Sequence, residues 1–275
     1  MTNLPVVSRA DLDKDPHDVA AMFDGVARRY DLTNTVLTAG QDRRWRALTR
    51  DALDLRPGER VLDVGVGPGF LAAEMAAEVG AGGMVAGIDV SQSMLALAKE
   101  WEAMIDLRAG SAGAIPYPDA GFDVAVSTQV LEYVADIPAA LAELRRVVRP
   151  GGRILILDTD WDSIVWRSGD DARMAAVLAA WEAHLADPRL PRRLLGELRS
   201  AGFTPDTPLV LPLLNVGYHP VQDFSAGLID IIGDFVAQRG VLPAAEVDAW
   251  KADLRSLGDD YFFSLNRYVF RAIRG

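Results

Sequence analysis

An apolar run that breaks into glycines at alternate positions, VLDVGVGPGF at residues 61–70, constrains this chain more than any other stretch. The apolar part does not alternate with polar residues, which is typical of a strand buried on both faces of a parallel sheet. Gly65, Gly67 and Gly69 then predict a tight strand-to-helix turn, because glycine lets the backbone turn sharply and lets a ligand approach its amides. The stretch therefore predicts an α/β fold with a ligand site at the end of its first strand.

Strands and helices alternate from about residue 60 onward, the order that builds a parallel sheet covered on both faces. Five strands are predicted at RVLDVG, MVAGID, MIDLRAG, FDVAVS and RILILD, with helices at 70–79, at QSMLALAKE after the capping residue Ser91, and at IPAALAELRRVV. Two later strands, TPLVLPLLNV and YFFSLNRYVFRAI, are separated by about forty mainly helical residues, which is too many for a hairpin. We predict a Rossmann-like, doubly wound, mostly parallel seven-stranded sheet with an antiparallel last strand.

The helical segments outside this sheet predict how the site is covered. Residues 1–50 are expected to form an N-terminal helical lid region, and residues 51–275 one catalytic domain with a helical cap insertion at about 218–259. The insertion leaves the carboxyl end of the sixth strand, the edge at which such sheets bind ligands. We therefore expect substrate identity to be determined by these helices.

Composition excludes several classes of function. The net charge of −11, without a basic patch, is poorly suited to binding nucleic acid. With no cysteine, the chain has no disulfide, thiolate metal site or cysteine nucleophile, and we expect no metal. No apolar run approaches the roughly 20 residues of a membrane span, so we expect a cytoplasmic protein without stable membrane insertion.

The glycine spacing narrows the choice of cofactor. A dinucleotide-binding turn would read GxGxxG and a phosphate loop would end in Gly-Lys-Ser/Thr, but this chain has GxGxG. The remaining common ligand of such a turn is S-adenosyl-L-methionine, whose ammonium and ribose hydroxyls each favour a nearby carboxylate. Asp63 lies before the first glycine, and Asp89 ends the second strand, where a ribose-binding acid is expected. A helix-start role is the alternative for Asp89, and ordinary core packing is the alternative to an adenine contact for Met94.

The motifs VLDVGVGPGF, GIDVSQSML, AIPYPDAGFDVAVSTQVLEYV and ELRRVVRPGGRILILD together resemble class I S-adenosylmethionine-dependent methyltransferases over residues 58–160. Upstream, MFDGVARRYDLTNTVLTAGQDRRWR resembles the ubiquinone/menaquinone C-methyltransferase branch. By that resemblance Tyr30 closes over the methionyl end of the cofactor, although it could equally anchor a lid helix. Val90 and Gln129 are assigned to the same cofactor site.

Two departures from that branch bear on the substrate. The chain has Asp42-Arg43 in place of His-Arg, and Gly110-Ser111-Ala112 in place of Gly-Asp-Ala. The aspartate of the latter motif usually reaches the adenine amino group, so that contact would pass to Ser111 or to the backbone of Ala112. The resemblance therefore implies the reaction class but not a quinone substrate.

Candidate acid–base residues lie at predicted strand ends. Glu132 follows the fourth strand, and Asp160 lies in LDTDWDS, interpreted as a loop after the fifth. His219 is the best candidate for a general base among three histidines, because it lies where the sixth strand opens into the cap. Helix-start, loop-capping and backbone-bonding roles are the respective alternatives.

The predicted cap is amphipathic, with Phe224, Leu228, Ile231, Ile232 and Phe235 near one helical stripe. Such stripes are mostly core, but a cap must also face the ligand. We predict methyl transfer to a small, aromatic or largely apolar molecule, with the acceptor atom and a homodimer left open. The alternatives are a non-methylation reaction such as cyclisation that retains the cofactor, a non-catalytic partner subunit and an NAD-dependent oxidoreductase.

Overall fold

Strands and helices alternate along the chain, as predicted, and form a central sheet with helices packed against it. The computed structural model describes residues 19–20, 41–101, 103–221 and 223–275, and the side chains from residue 46 onward within the first helix below. Tyr30 lies outside the described residues, as do the side chains of Asp42 and Arg43. The predicted lid function of residues 1–50 therefore stays a prediction.

From residue 41 onward, the described residues contain eight α-helices and eight strands, besides four short 3-10 helices. The helices are α1 (Gln41–Leu53), α2 (Phe70–Val79), α3 (Gln92–Ala98), α4 (Ile137–Val147), α5 (Asp171–Trp181), α6 (Pro191–Ser200), α7 (Phe224–Arg239) and α8 (Ala244–Ser256). The strands are β1 (Arg60–Val64), β2 (Met84–Asp89), β3 (Ile105–Ala109), β4 (Phe122–Thr128), β5 (Val148–Trp166), β6 (Phe203–Pro205), β7 (Leu209–Val216) and β8 (Phe262–Arg274).

The strand order is β3-β2-β1-β4-β5-β8-β6, and β7 also pairs with β8. The pairs among β1 to β5 are parallel, whereas β8 runs antiparallel to β5, β6 and β7. This confirms the predicted doubly wound sheet with an antiparallel last strand. The sheet has eight strands rather than seven because β6, which precedes the predicted sixth strand, also pairs with β8; the predicted sixth strand is β7.

Strand β5 is far longer than the sequence predicted. It continues through LDTDWDS to Trp166, so the interpretation of that stretch as a loop is wrong. The extension pairs with β8, with a register shift between Asp160 and Val165. Ser163 holds this irregularity, since its Oγ donates to the Asp160 carbonyl at 2.6 Å and accepts from the Asn266 amide at 2.9 Å.

Three hydrophobic clusters stabilise the molecule. One packs α4 and α6 against one sheet face, and a second packs α1 and α2 against the other. The third joins α5, α7 and α8 to the ends of β5 and β8, around the fully buried Trp250 and Phe263. The helices between β7 and β8 are therefore packed firmly at the carboxyl end of the sheet. Among the described helices, none has the length and apolarity needed to span a bilayer.

Candidate functional site

A cavity of about 600 Å³ lies at the carboxyl ends of β1, β2, β4 and β5. This volume is in the range that holds a cofactor or a drug-sized ligand. We name two parts of its lining by their residues. The glycine end consists of Gly65, Gly67, Asp89, Val90, Met94, Ser111 and Ala112; the aromatic end consists of Glu132, Trp161, Trp181, Leu213, Phe224, Leu228, Ile231, Leu265 and Arg267.

A different structural constraint applies at each of the three glycines of the turn. Gly65 has φ +77°, and a Cβ there would lie 2.2 Å from Val130 Cγ2. Gly69 has φ +85°, and its Cβ would lie 2.8 Å from Trp101 Cδ1, so it serves packing and does not line the cavity. Gly67 has φ +52° and nothing within 4 Å of its Cβ position. The turn therefore holds its central glycine against open cavity space.

Asp89 fixes this turn from the end of β2. Its Oδ2 accepts from the Gly67 amide at 2.9 Å and its Oδ1 accepts from the Ser91 amide at 2.9 Å. The predicted capping role belongs to Ser91, whose Oγ accepts from the Met94 amide at 3.1 Å. Asp89 is therefore not the side-chain cap of α3, and its carboxylate lies in the cavity wall.

Asp63 lies behind the glycine end on β1 and is 2% exposed. Burial, with a smaller contribution from the charge of Asp89, raises the pKa of Asp63 to about 7. Among the described residues, its Oδ1 has no hydrogen-bond partner. Two carboxyl groups thus meet at the ends of neighbouring strands, an arrangement that a nearby cation would stabilise.

Met94 and Gln129, two further predicted cofactor residues, line the cavity. Met94 is 2% exposed, so it packs in the core while touching the cavity. Gln129 also lines the cavity and has a positive φ of 56°. Its amide donates to the Leu157 carbonyl at 2.7 Å, and its Oε1 accepts from Thr159 Oγ1 at 2.6 Å. The site therefore joins β4 to β5 through Gln129.

These features suit S-adenosyl-L-methionine. A side chain at Gly67 would enter the space that the cofactor's backbone-like chain needs, and the ionised carboxylates favour a sulfonium and an ammonium. Asp89, Ser111 and Ala112 line the same end of the cavity and add polar groups to it. The glycine end therefore offers carboxylates and open space to a cationic ligand of this kind.

At the aromatic end, Glu132 is 1% exposed. Its Oε2 accepts from the Thr159 amide and from the Trp161 indole nitrogen, each at 3.2 Å. Burial outweighs these hydrogen bonds and the charge of Arg267, and it raises the pKa of Glu132 to about 7. A carboxyl group with such a pKa can exchange a proton near neutral pH.

Arg267 was missed by the sequence analysis. It lies in the middle of β8, opposite Thr159 of β5 and Leu211 of β7, and is 7% exposed. On β8 the alternate residues Phe263, Leu265 and Val269 of the same face are buried and apolar. An arginine at that register was therefore the available signal for a functional group in this strand.

Two of the catalytic candidates do not line the cavity. Asp160 is 5% exposed and binds Arg192 through both oxygens, at 2.8 and 3.1 Å, so it ties β5 to α6. His219 is exposed, and its amide donates to Asp223 Oδ2 at 3.1 Å. Neither residue is therefore placed with Glu132 in the lining of this cavity.

The predicted cap stripe is shared between the core and the cavity. Ile232 is fully buried in the third cluster, whereas Phe224, Leu228 and Ile231 line the cavity. Trp161 and Trp181 face each other edge-on at 5.6 Å beside these residues. His184 stacks on Trp181 at 3.5 Å, and burial lowers its pKa to about 3, so it is neutral. The aromatic end is therefore a largely apolar chamber.

Solved structures share this fold. The YcgJ protein of Bacillus subtilis aligns with a TM-score of 0.56 at 18% identity, over 83% of this chain and 97% of that one. Phosphoethanolamine N-methyltransferase 2 of Haemonchus contortus, in complex with S-adenosyl-L-methionine, aligns with a TM-score of 0.53 at 20% identity, over 84% of this chain and 52% of that one. At these identities the likeness concerns the fold alone.

Sequence relatives are more specific. A demethylmenaquinone methyltransferase of Beutenbergia cavernae is 48% identical over 150 residues, which are 54% of this chain and 61% of that protein. The chain thus spans less than two thirds of the length of this curated relative. The model of the ubiE/COQ5 methyltransferase family matches residues 11–167, more than half of the chain and all of the glycine end. This match confirms the resemblance found in the sequence, and the chain belongs to the ubiE/COQ5 methyltransferase family.

Proposed function

We propose that the protein transfers a methyl group from S-adenosyl-L-methionine to a small, largely apolar acceptor of the quinol or phenol type. The observation that carries this proposal is the single cavity that joins the glycine end to the aromatic end. A cationic methyl donor suits the carboxylates of the first, and a flat ring suits the aromatic walls of the second. The demethylmenaquinone methyltransferase relative supports a ring acceptor.

The cofactor residues follow from the glycine end. The Gly65–Gly67 turn admits the methionyl chain, Asp89 binds the ribose hydroxyls, and Ser111 with Ala112 contacts adenine. Asp63, behind the turn, contributes negative charge toward the ammonium. Tyr30, Val90, Met94 and Gln129 complete the proposed set. Bound here, S-adenosyl-L-methionine supplies a methyl group on an already activated sulfonium.

The chain's own contribution is alignment, exclusion of water and control of one proton. The apolar walls of Trp161, Phe224 and Leu228 exclude water from the acceptor. Glu132 accepts the acidic O–H proton of the acceptor, whose electron pair stays on the acceptor oxygen. Burial raises the pKa of Glu132, so its carboxylate is a stronger base toward this proton than an exposed glutamate would be.

A label-transfer assay tests this function. Full-length protein, S-adenosyl-L-methionine with a deuterated methyl group, and 1,4-naphthoquinol are incubated and analysed by mass spectrometry. We expect equal amounts of S-adenosylhomocysteine and a product carrying one labelled methyl. The Asp89→Ala variant should lose this activity, whereas Asp106→Ala, at a partly exposed strand position away from the cavity, should keep it.

The same assay separates the alternatives. Binding of the cofactor without its consumption, across phenol, quinol and amine acceptors, would contradict methyl transfer and favour another reaction in the same cavity. Failure to bind the cofactor at all would instead favour a non-catalytic partner subunit.

A further inference from the structure

Two hydrogen-bond donors in the aromatic end are not accounted for by the family match. Arg267 and Trp181 both line the cavity, and both lie beyond residue 167, where that match ends. They come from separate elements, β8 and α5. Any specificity that they confer is therefore a property of this chain and not of the matched region.

Arg267 places a positive charge in a wall whose other side chains, apart from Glu132, are apolar or aromatic. Burial lowers the pKa of Arg267 to about 9, while the charge of Glu132 opposes that shift, so the guanidinium stays protonated at neutral pH. Burying a charge pair seldom stabilises a fold more than apolar residues of the same volume would. Recognition of a ligand is a better account of an arginine whose neighbours on that face are Leu265 and Val269.

Among the described residues, a second arginine, Arg46, also lines the cavity, but it does not belong to the aromatic end. Arg46 of α1 donates from Nε to Glu74 Oε1 at 2.9 Å and lies over the Phe70 ring at 5.4 Å. Arg46 therefore belongs to the packing between α1 and α2. Arg267 is the cation placed at the aromatic end.

Trp181 provides the other donor. It is 6% exposed, its ring lines the cavity, and its indole nitrogen has no hydrogen-bond partner among the described residues. The ring is held between His184, stacked at 3.5 Å, and Trp161, edge-on at 5.6 Å. An orphaned buried N–H costs stability, and a ligand oxygen would remove that cost.

We propose that Arg267 and Trp181 form an oxygen-recognition site for the methyl acceptor. The site holds the ionised oxygen of a flat ring, the phenolate or enolate that remains once Glu132 has taken the proton. Both groups donate hydrogen bonds, so they require a ligand that accepts them. A guanidinium favours an oxyanion over a neutral ether or carbonyl. The aromatic walls select a flat ring. This inference rests on the proposed function and adds to it the charge state of the acceptor.

The test uses two probes with the same ring system, one ionisable and one whose oxygen is blocked by a methyl group. 2-Hydroxy-1,4-naphthoquinone is an acid that is ionised at pH 7.5, and 2-methoxy-1,4-naphthoquinone cannot ionise. Each is titrated calorimetrically into full-length protein, with and without saturating S-adenosylhomocysteine. We expect the wild type to bind the hydroxy probe about tenfold or more tightly than the methoxy probe, as a charge-assisted contact implies.

The variants assign that preference to residues. Arg267→Met should abolish it, Arg267→Lys should keep part of it, and Trp181→Phe should weaken binding of both probes by about three- to tenfold. Arg153→Met and Trp166→Phe are the matched controls, because Arg153 is partly buried, Trp166 is buried, and neither lines the cavity. S-adenosylhomocysteine affinity should stay within about twofold in Arg267→Lys and Trp181→Phe.

The possible outcomes distinguish a failure of the oxygen-recognition site from a failure of the proposed function. Equal affinity of the wild type for the two probes, or a preference that survives in Arg267→Met, overturns the oxygen-recognition site. If Arg267→Met does not fold, an unchanged preference in Arg267→Lys together with unchanged affinity in Trp181→Phe overturns it. Absence of S-adenosylhomocysteine binding contradicts the proposed function, while the titration without that ligand still tests the oxygen-recognition site.

Discussion

Replacing Gly67 by alanine separates the cost to the fold from the cost to ligand binding. The residue has φ +52°, which disfavours a residue with a Cβ by about 1–2 kcal/mol. Because nothing lies within 4 Å of the Cβ position, no clash adds to that cost in the free protein. For a chain of this length we expect a fall in Tm of about 2–5 °C.

Cofactor binding should suffer separately. The new methyl group would stand in the space where the backbone must approach the ligand, and overpacking of this kind costs about 1–3 kcal/mol. That energy corresponds to roughly a 5- to 150-fold rise in the Kd for S-adenosylhomocysteine. Calorimetric titration at a temperature well below both Tm values measures it directly.

Two alanine variants serve as comparisons. In Gly65→Ala the Cβ would meet Val130 Cγ2 at 2.2 Å, so this variant should lose more stability than Gly67→Ala. In Gly196→Ala, within α6 and with open space around it, stability should rise by about 0.5–1 kcal/mol without a change in binding. A wild-type Kd in Gly67→Ala would refute the placement of the cofactor at this turn.

Three further predictions concern titration and the two catalytic candidates that do not line the cavity. The folded pKa of Asp63 is raised to about 7, so the free energy of unfolding should fall as pH rises from about 4 to 7 and this carboxyl group ionises. The ionised carboxylate, in contrast, favours the binding of a cationic ligand. S-adenosyl-L-methionine affinity should therefore rise between pH 6 and 8, by at most about tenfold per unit, and calorimetry should find a flatter profile for Asp63→Asn; equal slopes would contradict this. Asp160→Ala should lower Tm by breaking the contact with Arg192 but leave kcat per folded molecule within about twofold of the wild type. A large loss of kcat at unchanged KM would instead support a catalytic role for Asp160. His219→Ala should keep the wild-type rate from pH 6 to 8 in the label-transfer assay, since this side chain is exposed and does not line the cavity; a flattened pH profile would show otherwise.

Local sequence patterns predicted the part of the fold in which neighbours along the chain determine structure. Helix α2 has the predicted limits, Phe70–Val79, and Ser91 caps α3 as expected. The buried strands were recognised because their apolar runs leave no other stable position for them. The turn of Gly65 and Gly67 was found because a positive φ can be read from glycine itself.

The failures lie where distant contacts override local preference. Asp158, Asp160 and Asp162 are poor strand residues, so LDTDWDS was interpreted as a loop. In the fold, pairing with β8 keeps this stretch extended, and Arg192 neutralises Asp160. His219 was favoured by its place near the end of β7, but the direction of a side chain in a turn cannot be read from its position along the chain.

The aromatic end was predicted only in outline. The period of α7 correctly placed Phe224 and Leu228 against a ligand space. Arg267 was not recognised because β8 is mostly apolar, which obscured the alternation of inward-facing and outward-facing residues. In that alternation the charged Arg267 occupies a buried position between Leu265 and Val269. Trp181 escaped because the packing of α5 on α7 is not encoded in either helix alone.

The central claim is that one cavity binds the methyl donor at its glycine end and the acceptor at its aromatic end. A crystal structure of the full-length protein with S-adenosylhomocysteine and 2-hydroxy-1,4-naphthoquinone tests it most directly. We predict ribose hydroxyls within hydrogen-bond distance of the Asp89 carboxylate, and the ring against Trp161 with an oxygen facing Arg267. A cofactor bound away from Gly67 and Asp89, or a ring bound outside this cavity, would contradict the account.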